Sequence, residues 1–362
     1  MKVFFFPPTS PFNPYIDNIV SGLENNGVTI VNKGAKNKYT KFLSSFKAMA
    51  MHTDVYHFNW IENKSAVDNK KNRVICWAIL RWIHLMKASG GKLAWTMHNK
   101  ESHFAEGDKT FHYHFMKKFI SEMDMVLVHA KETGALLRDE YKYPEDRICY
   151  VPHGSYLNKD SSFTPVNQEH KKFIVLTFGM VNRYKNIPML IKAFESLEIP
   201  DAELRIYGKC DTKDIELKDE IQKLVSSAAH TTYEDRFIPD EEVDAIFAES
   251  DVVILPYDKK SMINSGAAIK AFSEGRPIIV SAFGAIKDIQ EKSFVHCYDY
   301  NSDEEHLLAI KKMIVDVYKK WKEDKSILAL EGKEAFEYSQ NELSWDTICK
   351  TIADFYEKIC RS

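Results

Sequence analysis

Arg183 and Lys185 stand two residues apart, just behind an apolar run at 173–178 that closes on Gly179. Asn186, Ile187 and Pro188 follow, and Leu190, Ile191, Phe194 and Leu197 then recur at helical spacing. A strand, a loop bearing a guanidinium and an ammonium, and a helix start together make an anion site. The amides and the dipole favour negative charge, and the two cations can neutralise a diphosphate. An ordinary surface loop with two solvated cations is the other reading of the same stretch. Further on, a helix starts at Asn264, Ser265, Gly266 and Ala267 and runs to Gly275, just ahead of another apolar run.

The first half of the chain carries a different chemistry. A predicted strand at 93–97 delivers His98 to its carboxyl end, followed by Asn99. Imidazole titrates near neutral pH, so His98 can hydrogen-bond a ligand or take a proton from a nucleophile. Capping the strand end is its structural alternative. Asn59 and Trp60 end another predicted strand and offer an amide and an indole face, although tryptophan also serves as core. His153 and Gly154 end the last strand of this half. His98, His103, His112 and His114 lie close together, but they lack the His-Glu-x-x-His spacing and no cysteine joins them. No Asp-x-Asp motif is present, so no metal is expected.

The elements that position these residues alternate. Strands are predicted at 3–6, 29–31, 55–58, 93–97, 125–129 and 148–151, with helices at 15–26, 39–51, 72–89, 109–122 and 131–141. A polar stretch at 158–171 reads as a linker. The pattern restarts with strands at 173–178, 203–207, 252–256, 277–281 and 294–298. Helices are predicted at 187–197, 214–228, 240–249 and 264–274, and along the tract 303–360. Strand–helix alternation predicts an α/β chain with parallel sheets covered on both faces. The expected organisation is two Rossmann-like, doubly wound domains facing a cleft, 1–165 and 166–340, followed by a helix at 341–362. Ligands in such sheets sit beyond the carboxyl ends of the strands.

The bulk numbers fit this picture. The 362 residues are 44% hydrophobic and 28% charged, as in ordinary globular proteins. The net charge of -3 conceals an asymmetry. Residues 1–165 hold 22 Lys and Arg against 16 Asp and Glu, and the remainder holds 27 against 36. A basic first half suits an anionic neighbour such as a membrane surface. Six scattered cysteines fit a reducing compartment. No signal peptide is read at the start, and the apolar stretch at 74–86 is too short and too charged to span a bilayer. Residues 39–51 and 72–87 combine Lys and Arg with apolar residues, including Trp77 and Trp82. Interfacial helices have this composition, and so do helices packed on a sheet.

The order of motifs over residues 172–362 resembles the donor-binding domain of the GT-B glycosyltransferases, family 4. The resemblance rests on the basic pair, on Leu204 to Lys209 with its Gly208, on Phe237 to Val243, on Ser250 to Tyr257, and on the helix started at Ser265. It extends to the final helix headed by Leu343, Ser344, Trp345 and Asp346, and it implies that this helix, 341–362, packs back on the first domain. It implies that Gly179, Arg183 and Lys185 hold the donor diphosphate together with Asn264, Ser265, Gly266 and Ala267. Gly208, Phe237 and Ile238 would border the nucleobase. His98 would stand close to the donor sugar, and Asn59, Trp60, Asn99 and His153 would take the acceptor. The catalytic set is then His98, Arg183 and Lys185. One departure is plain: where the family carries two glutamates eight positions apart, this chain has Met262 and Lys270, and Lys270 has donors only. Glu274, one turn later, is the available carboxylate.

The resemblance implies transfer of a sugar, with retention, from a UDP- or GDP-linked donor to a saccharide or lipid-linked acceptor in surface polysaccharide synthesis. It implies no metal and no other cofactor. The chain is expected in the cytoplasm, with peripheral contact on the inner face of the membrane, and without a nucleic-acid partner. A non-catalytic scaffold on the same fold, and a nucleotide-sugar epimerase or hydrolase, are the competing expectations.

Overall fold

The computed structural model describes residues 1–9, 14–33, 38–99, 109–157, 161–166, 171–260 and 262–361, apart from the side chains of 38–42. The chain divides into two compact units, Met1–Gly154 with Glu342–Ser362, and Ser155–Asn341.

The first unit runs β1 (Lys2–Phe6), α1 (Pro14–Asn25), β2 (Thr29–Ile30), α2 (Lys38–Ala50), β3 (Val55–Asn59), α3 (Lys70–Ala88), β4 (Lys92–Met97), α4 (Thr110–Glu122), β5 (Met125–Val128), α5 (Lys131–Asp139) and β6 (Ile148–Tyr150). All pairings are parallel, in the order β2-β1-β3-β4-β5-β6. The strands are buried on both faces, which is why they read as unbroken apolar runs. The order reverses between β1 and β3, and that reversal opens a crevice at the carboxyl ends.

The second unit runs β7 (Phe173–Phe178), α6 (Ile187–Glu195), β8 (Ala202–Tyr207), α7 (Ile215–Ser226), β9 (Thr231–Glu234), α8 (Asp240–Ala248), β10 (Val252–Leu255), α9 (Gly266–Ser273), β11 (Ile278–Ser281), α10 (Gly284–Lys287), β12 (Val295–Tyr298), α11 (Asp303–Glu323) and α12 (Lys325–Asn341). Its sheet is also fully parallel, in the order β12-β11-β10-β7-β8-β9, so the reversal lies between β7 and β10. The sequence reading has no strand at 231–234. Thr232 and Glu234 face solvent there, so β9 is a half-polar edge strand without an apolar run.

The first boundary falls at Gly154, earlier than the expected residue 165. Three contacts draw residues 155–165 into the second unit. The Tyr156 amide donates to Ser273 Oγ at 3.1 Å, and the Phe163 and Phe336 rings lie 5.7 Å apart. The Arg276 guanidinium, 1% exposed, donates to the carbonyls of Thr164, Phe247, Glu274 and Gly275. Parts of the expected linker, 158–160 and 167–170, lie outside the described residues.

The tract after residue 303 breaks at Asp324 and again before Trp345. Its last piece, α13 (Trp345–Arg361), belongs to the first unit. Ile348, Cys349, Ile352, Tyr356 and Ile359 bury one face of α13 in the cluster that holds Ile16, Ile19, Val20 and Leu23 of α1. Gly22 permits this approach, because a Cβ there would lie 2.6 Å from Cys349 Sγ. Burying such side chains contributes about 2 kcal/mol each, so α13 supplies a share comparable to a whole domain's net stability.

The segments at 39–51 and 72–87 become α2 and α3. They pack together through the Trp82 indole, which donates to Ser45 Oγ at 3.1 Å. Cys76, Ile83 and Met86 face inward from α3, whereas Val74, Trp77 and Leu85 are exposed, as are Leu43 and Phe46 of α2. The core reading of 72–89 therefore holds for one face of α3 only. Among the described residues no helix is long and apolar enough to cross a membrane.

Candidate functional site

In the second unit the loops after β7 and β10 meet at the sheet reversal. Gly179 turns out of β7 with φ +96°, a conformation open to glycine. The 3-10 turn Arg183–Lys185 follows, and Asn186, itself left-handed, starts α6. Two bonds clamp the loops together. Asn186 Nδ2 donates to the Pro256 carbonyl at 3.0 Å, and the Asp258 amide donates to the Tyr184 carbonyl at 2.7 Å.

Lys185 is buried by this clamp. Its Nζ donates to the Phe178 carbonyl at 3.3 Å and lies 5.5 Å from the Tyr257 ring centre. A Cβ on Gly179 would come within 3.3 Å of it. Among the described residues no carboxylate pairs with Lys185, and burial lowers its ammonium to about 8. Tyr257 is buried beneath it, and its phenol neighbours the Ser265 hydroxyl.

Ser265 caps α9, its Oγ accepting from the Ala268 amide at 3.2 Å, and Asn264 Oδ1 accepts from the Ser265 amide at 2.9 Å. Gly266 and Ala267 thus begin the helix, where amides have no intrahelical acceptor. The Tyr156 hydroxyl closes over Gly266, 2.8 Å from where a Cβ would sit. Gly208, at φ +147°, lets β8 pass the Gly179 carbonyl, which a Cβ would meet at 2.2 Å. Phe237 is exposed while Ile238 is buried.

Arg183 does not join Lys185. Residues two apart on a 3-10 turn point to different sides, and Arg183 Nη2 pairs with Asp214 at 2.6 Å and Glu216 at 3.4 Å. Met262 is buried, and Glu274 is held by Lys270 at 2.5 Å, so the carboxylate offered in place of the missing glutamates is already paired.

In the first unit the carboxyl ends of β3, β4, β5 and β6 deliver Asn59, His98, His129 and His153 side by side. Asn59 Nδ2 donates to the Phe6 carbonyl at 3.3 Å, which turns its Oδ1 toward His98 Nε2 at 2.9 Å. His98 Nε2 therefore carries the proton and Nδ1 the lone pair. Trp60 stacks on the His98 ring, with centres 4.5 Å apart. His129 Nδ1 donates to the Val151 carbonyl at 3.0 Å, so its Nε2 accepts from the Tyr15 hydroxyl at 3.0 Å. His153 Nδ1 donates to the Gly154 carbonyl at 2.8 Å. Asn99 Nδ2 lies 3.5 Å from Glu62 Oε1. Burial holds His98 well below its ordinary value, His129 at about 3 and His153 at about 4, so the row is neutral near pH 7.

His129, Tyr15, Glu62, Tyr156 and Tyr257 are absent from the sequence-derived site. His129 follows its strand in the way His98 does, and the same rule finds it. Tyr15 sits among His98, His129, His153 and Trp345 through tertiary packing, which no local pattern reports. Of the clustered histidines, His112 bonds Ser65 at 2.8 Å and His114 bonds the Thr110 carbonyl at 2.7 Å, while His103 lies outside the described residues. Among the described residues no group of three potential ligands is placed to hold a metal ion.

Known proteins resemble this chain. Residues 172–315 match the family described as Glycosyl transferases group 1. A GDP-mannose:glycolipid 4-beta-D-mannosyltransferase from Xanthomonas campestris pv. campestris is 23% identical over 269 residues, covering 73% of this chain and 72% of that protein. Sucrose-phosphate synthase from Thermosynechococcus elongatus superposes with a TM-score of 0.70 at 17% identity, covering 99% of each chain. HepE from Anabaena, solved with UDP and glucose, superposes with a TM-score of 0.65 at 13% identity, covering 98% of this chain and 99% of that one. The chain is a glycosyltransferase of the GT-B fold.

The neutral row has a cost in acid. An imidazole held below its ordinary value binds protons more readily in the unfolded chain. Its stabilisation is present above about 6.5 and is lost as pH falls toward 3 or 4, at up to about 1.4 kcal/mol per pH unit for each group. Melting temperature is therefore expected to fall steeply from pH 6.5 to 4.5. The slope should be shallower in His129→Gln, as followed by circular dichroism.

Proposed function

We propose that the second unit binds the diphosphate of a nucleotide sugar at Lys185, Gly179 and the α9 start, Asn264 to Ala267. Gly208, Phe237 and Ile238 then border the base. One observation carries this reading: a buried ammonium without a carboxylate partner among the described residues, at the sheet reversal, beside a helix N-terminus. An anion is what that arrangement lacks. Bound there, the ammonium and amides stabilise the negative charge that grows on the nucleoside diphosphate as it leaves. Arg183 joins them by leaving Asp214 when the donor arrives. No metal is called for in this reading, since the cations and the helix end supply the positive field.

In the same proposal the acceptor binds the first unit at Asn59, Trp60, Asn99 and His153, and the lone pair on His98 Nδ1 takes a hydroxyl hydrogen. The Xanthomonas relatives are named for GDP-mannose and a glycolipid. GDP-mannose and lipid-linked saccharides are accordingly the first donor and acceptors to try, consistent with surface polysaccharide synthesis on the inner face of the cell membrane.

The donor site is tested by thermal shift with UDP, GDP and their sugar conjugates. One nucleotide should raise the melting temperature by mass action, and Lys185→Ala should abolish the shift. Arg183→Ala should reduce it less, because Arg183 starts in an ion pair. As pH rises from 7 to 9 the Lys185 charge is lost, and affinity should fall about tenfold; Lys185→Arg should remove that dependence, since arginine stays charged. No shift with any nucleotide in the unaltered chain would sink the site.

Retention is part of the proposal, and proton NMR of the product checks it: the new linkage must keep the donor's anomeric configuration. The exposed Trp77, Val74 and Leu85, with Arg81 lying 5.5 Å over the Trp77 ring, form the surface proposed to meet anionic lipid. Flotation with phosphatidylglycerol vesicles should recover the chain at low salt, and Trp77→Ser should lower recovery several-fold. Equal recovery with neutral vesicles speaks against the anionic surface.

A further inference from the structure

Glu62 has no role in the chemistry described so far. It sits in the 3-10 turn Ile61–Lys64, directly after the stretch that carries Asn59 and Trp60, and is 1% exposed. Among the described residues no cation pairs with it. Its Oε1 lies 3.5 Å from Asn99 Nδ2, and its Oε2 has no hydrogen-bond partner. The groups that favour its ionised form are its own main-chain N–H, the Trp95 indole N–H and the main-chain N–H groups of His98 and Asn99. Burial outweighs them and lifts the carboxyl to about 7.

Among the described residues, the other elements around this turn bring no counter-charge. From α4, His112 reaches Ser65, whose hydroxyl donates to the Glu62 carbonyl at 3.2 Å. From α3, the Cys76 thiol meets the Lys64 carbonyl at 3.6 Å. Lys64 itself is exposed.

A buried carboxylate without a counter-ion weakens a fold. Trp60, two residues before it, holds a left-handed backbone, φ 54°, which bulky residues avoid. Both costs fall on one turn, and both residues address the same target. The Trp60 ring stacks on His98, and the Glu62 carboxylate faces the His98 and Asn99 main chain. Strained backbone and displaced titrations gather where a site must be held in place.

We propose that Glu62 is a positioning residue for the acceptor side of the transfer: its carboxylate grips the main-chain turn at His98 and Asn99 and sets the aim of the His98 ring. The role rests on the reading of His98 given above. Substrate does not reach Glu62, because its free oxygen is sealed from solvent.

The full chain, labelled with 15N-asparagine, tests this by TROSY NMR. The Asn99 amide resonance should titrate with a midpoint near pH 7 and should lie flat in Glu62→Gln. The variant should also melt higher than the unaltered chain at pH 8. A carboxyl raised in the folded state stabilises at low pH, and that stabilisation is lost as pH rises through the folded value; removing the charge restores it, so the two chains converge near pH 5. The nucleotide thermal shift should be unchanged in Glu62→Gln. The kcat for transfer should fall at least tenfold with an unchanged donor KM. An Asn99 amide that ignores pH between 6 and 8, or behaves alike in both chains, overturns the positioning role. A titrating Asn99 amide, with transfer that survives His98→Ala, leaves the grip intact and overturns the His98 reading instead.

Discussion

In a parallel sheet every strand ends on the same edge, so the residue after each strand joins one line, and the strand order decides who its neighbours are. Both units of this glycosyltransferase are built on that constraint. In the first, the order β3-β4-β5-β6 sets Asn59, His98, His129 and His153 in sequence along the edge. In the second, the reversal between β7 and β10 brings the Gly179–Lys185 loop against the segment leading to α9. The helices and the buried Val, Ile and Phe residues serve chiefly to keep those edges registered.

The two edges have opposite electrostatic characters. The first is aromatic and uncharged: burial removes the proton from each histidine, and carbonyls or an amide oxygen fix the tautomers. Such a surface is suited to hydroxyls, which neutral donors and acceptors select by direction. The second holds a desolvated ammonium over a tyrosine ring with a helix start nearby, an arrangement suited to an anion. In the proposed reading, a neutral, hydroxyl-rich partner and an anionic one are sorted by unlike physics on separate units.

Much of the fold was legible because buried parallel strands leave continuous apolar runs, as in residues 173–178 and 252–255. The start of α9 was legible because Ser265 and Gly266 make a recognisable cap. What escaped depended on partners far away in sequence. β9 hid behind its solvent face, and the first boundary hid in the reach of Arg276 to Thr164. The pairing of Arg183 with Asp214 joins residues 31 apart. Glu62 drew no reading, since nothing beside it announces that it will be buried. Composition names the chemistry available; only packing says which groups lose their water.

The docking of α13 on α1 makes the first unit discontinuous in the chain. On a ribosome, α1 emerges early with Ile16, Ile19, Val20 and Leu23 prepared for a partner that is not yet made. The whole of Ser155–Asn341 is synthesised in between, and it can complete its own core first. The order of maturation thus runs opposite to the order of translation for half the molecule. Until the segment from Glu342 onward is released, the α1 stripe is an apolar surface of the kind chaperones bind.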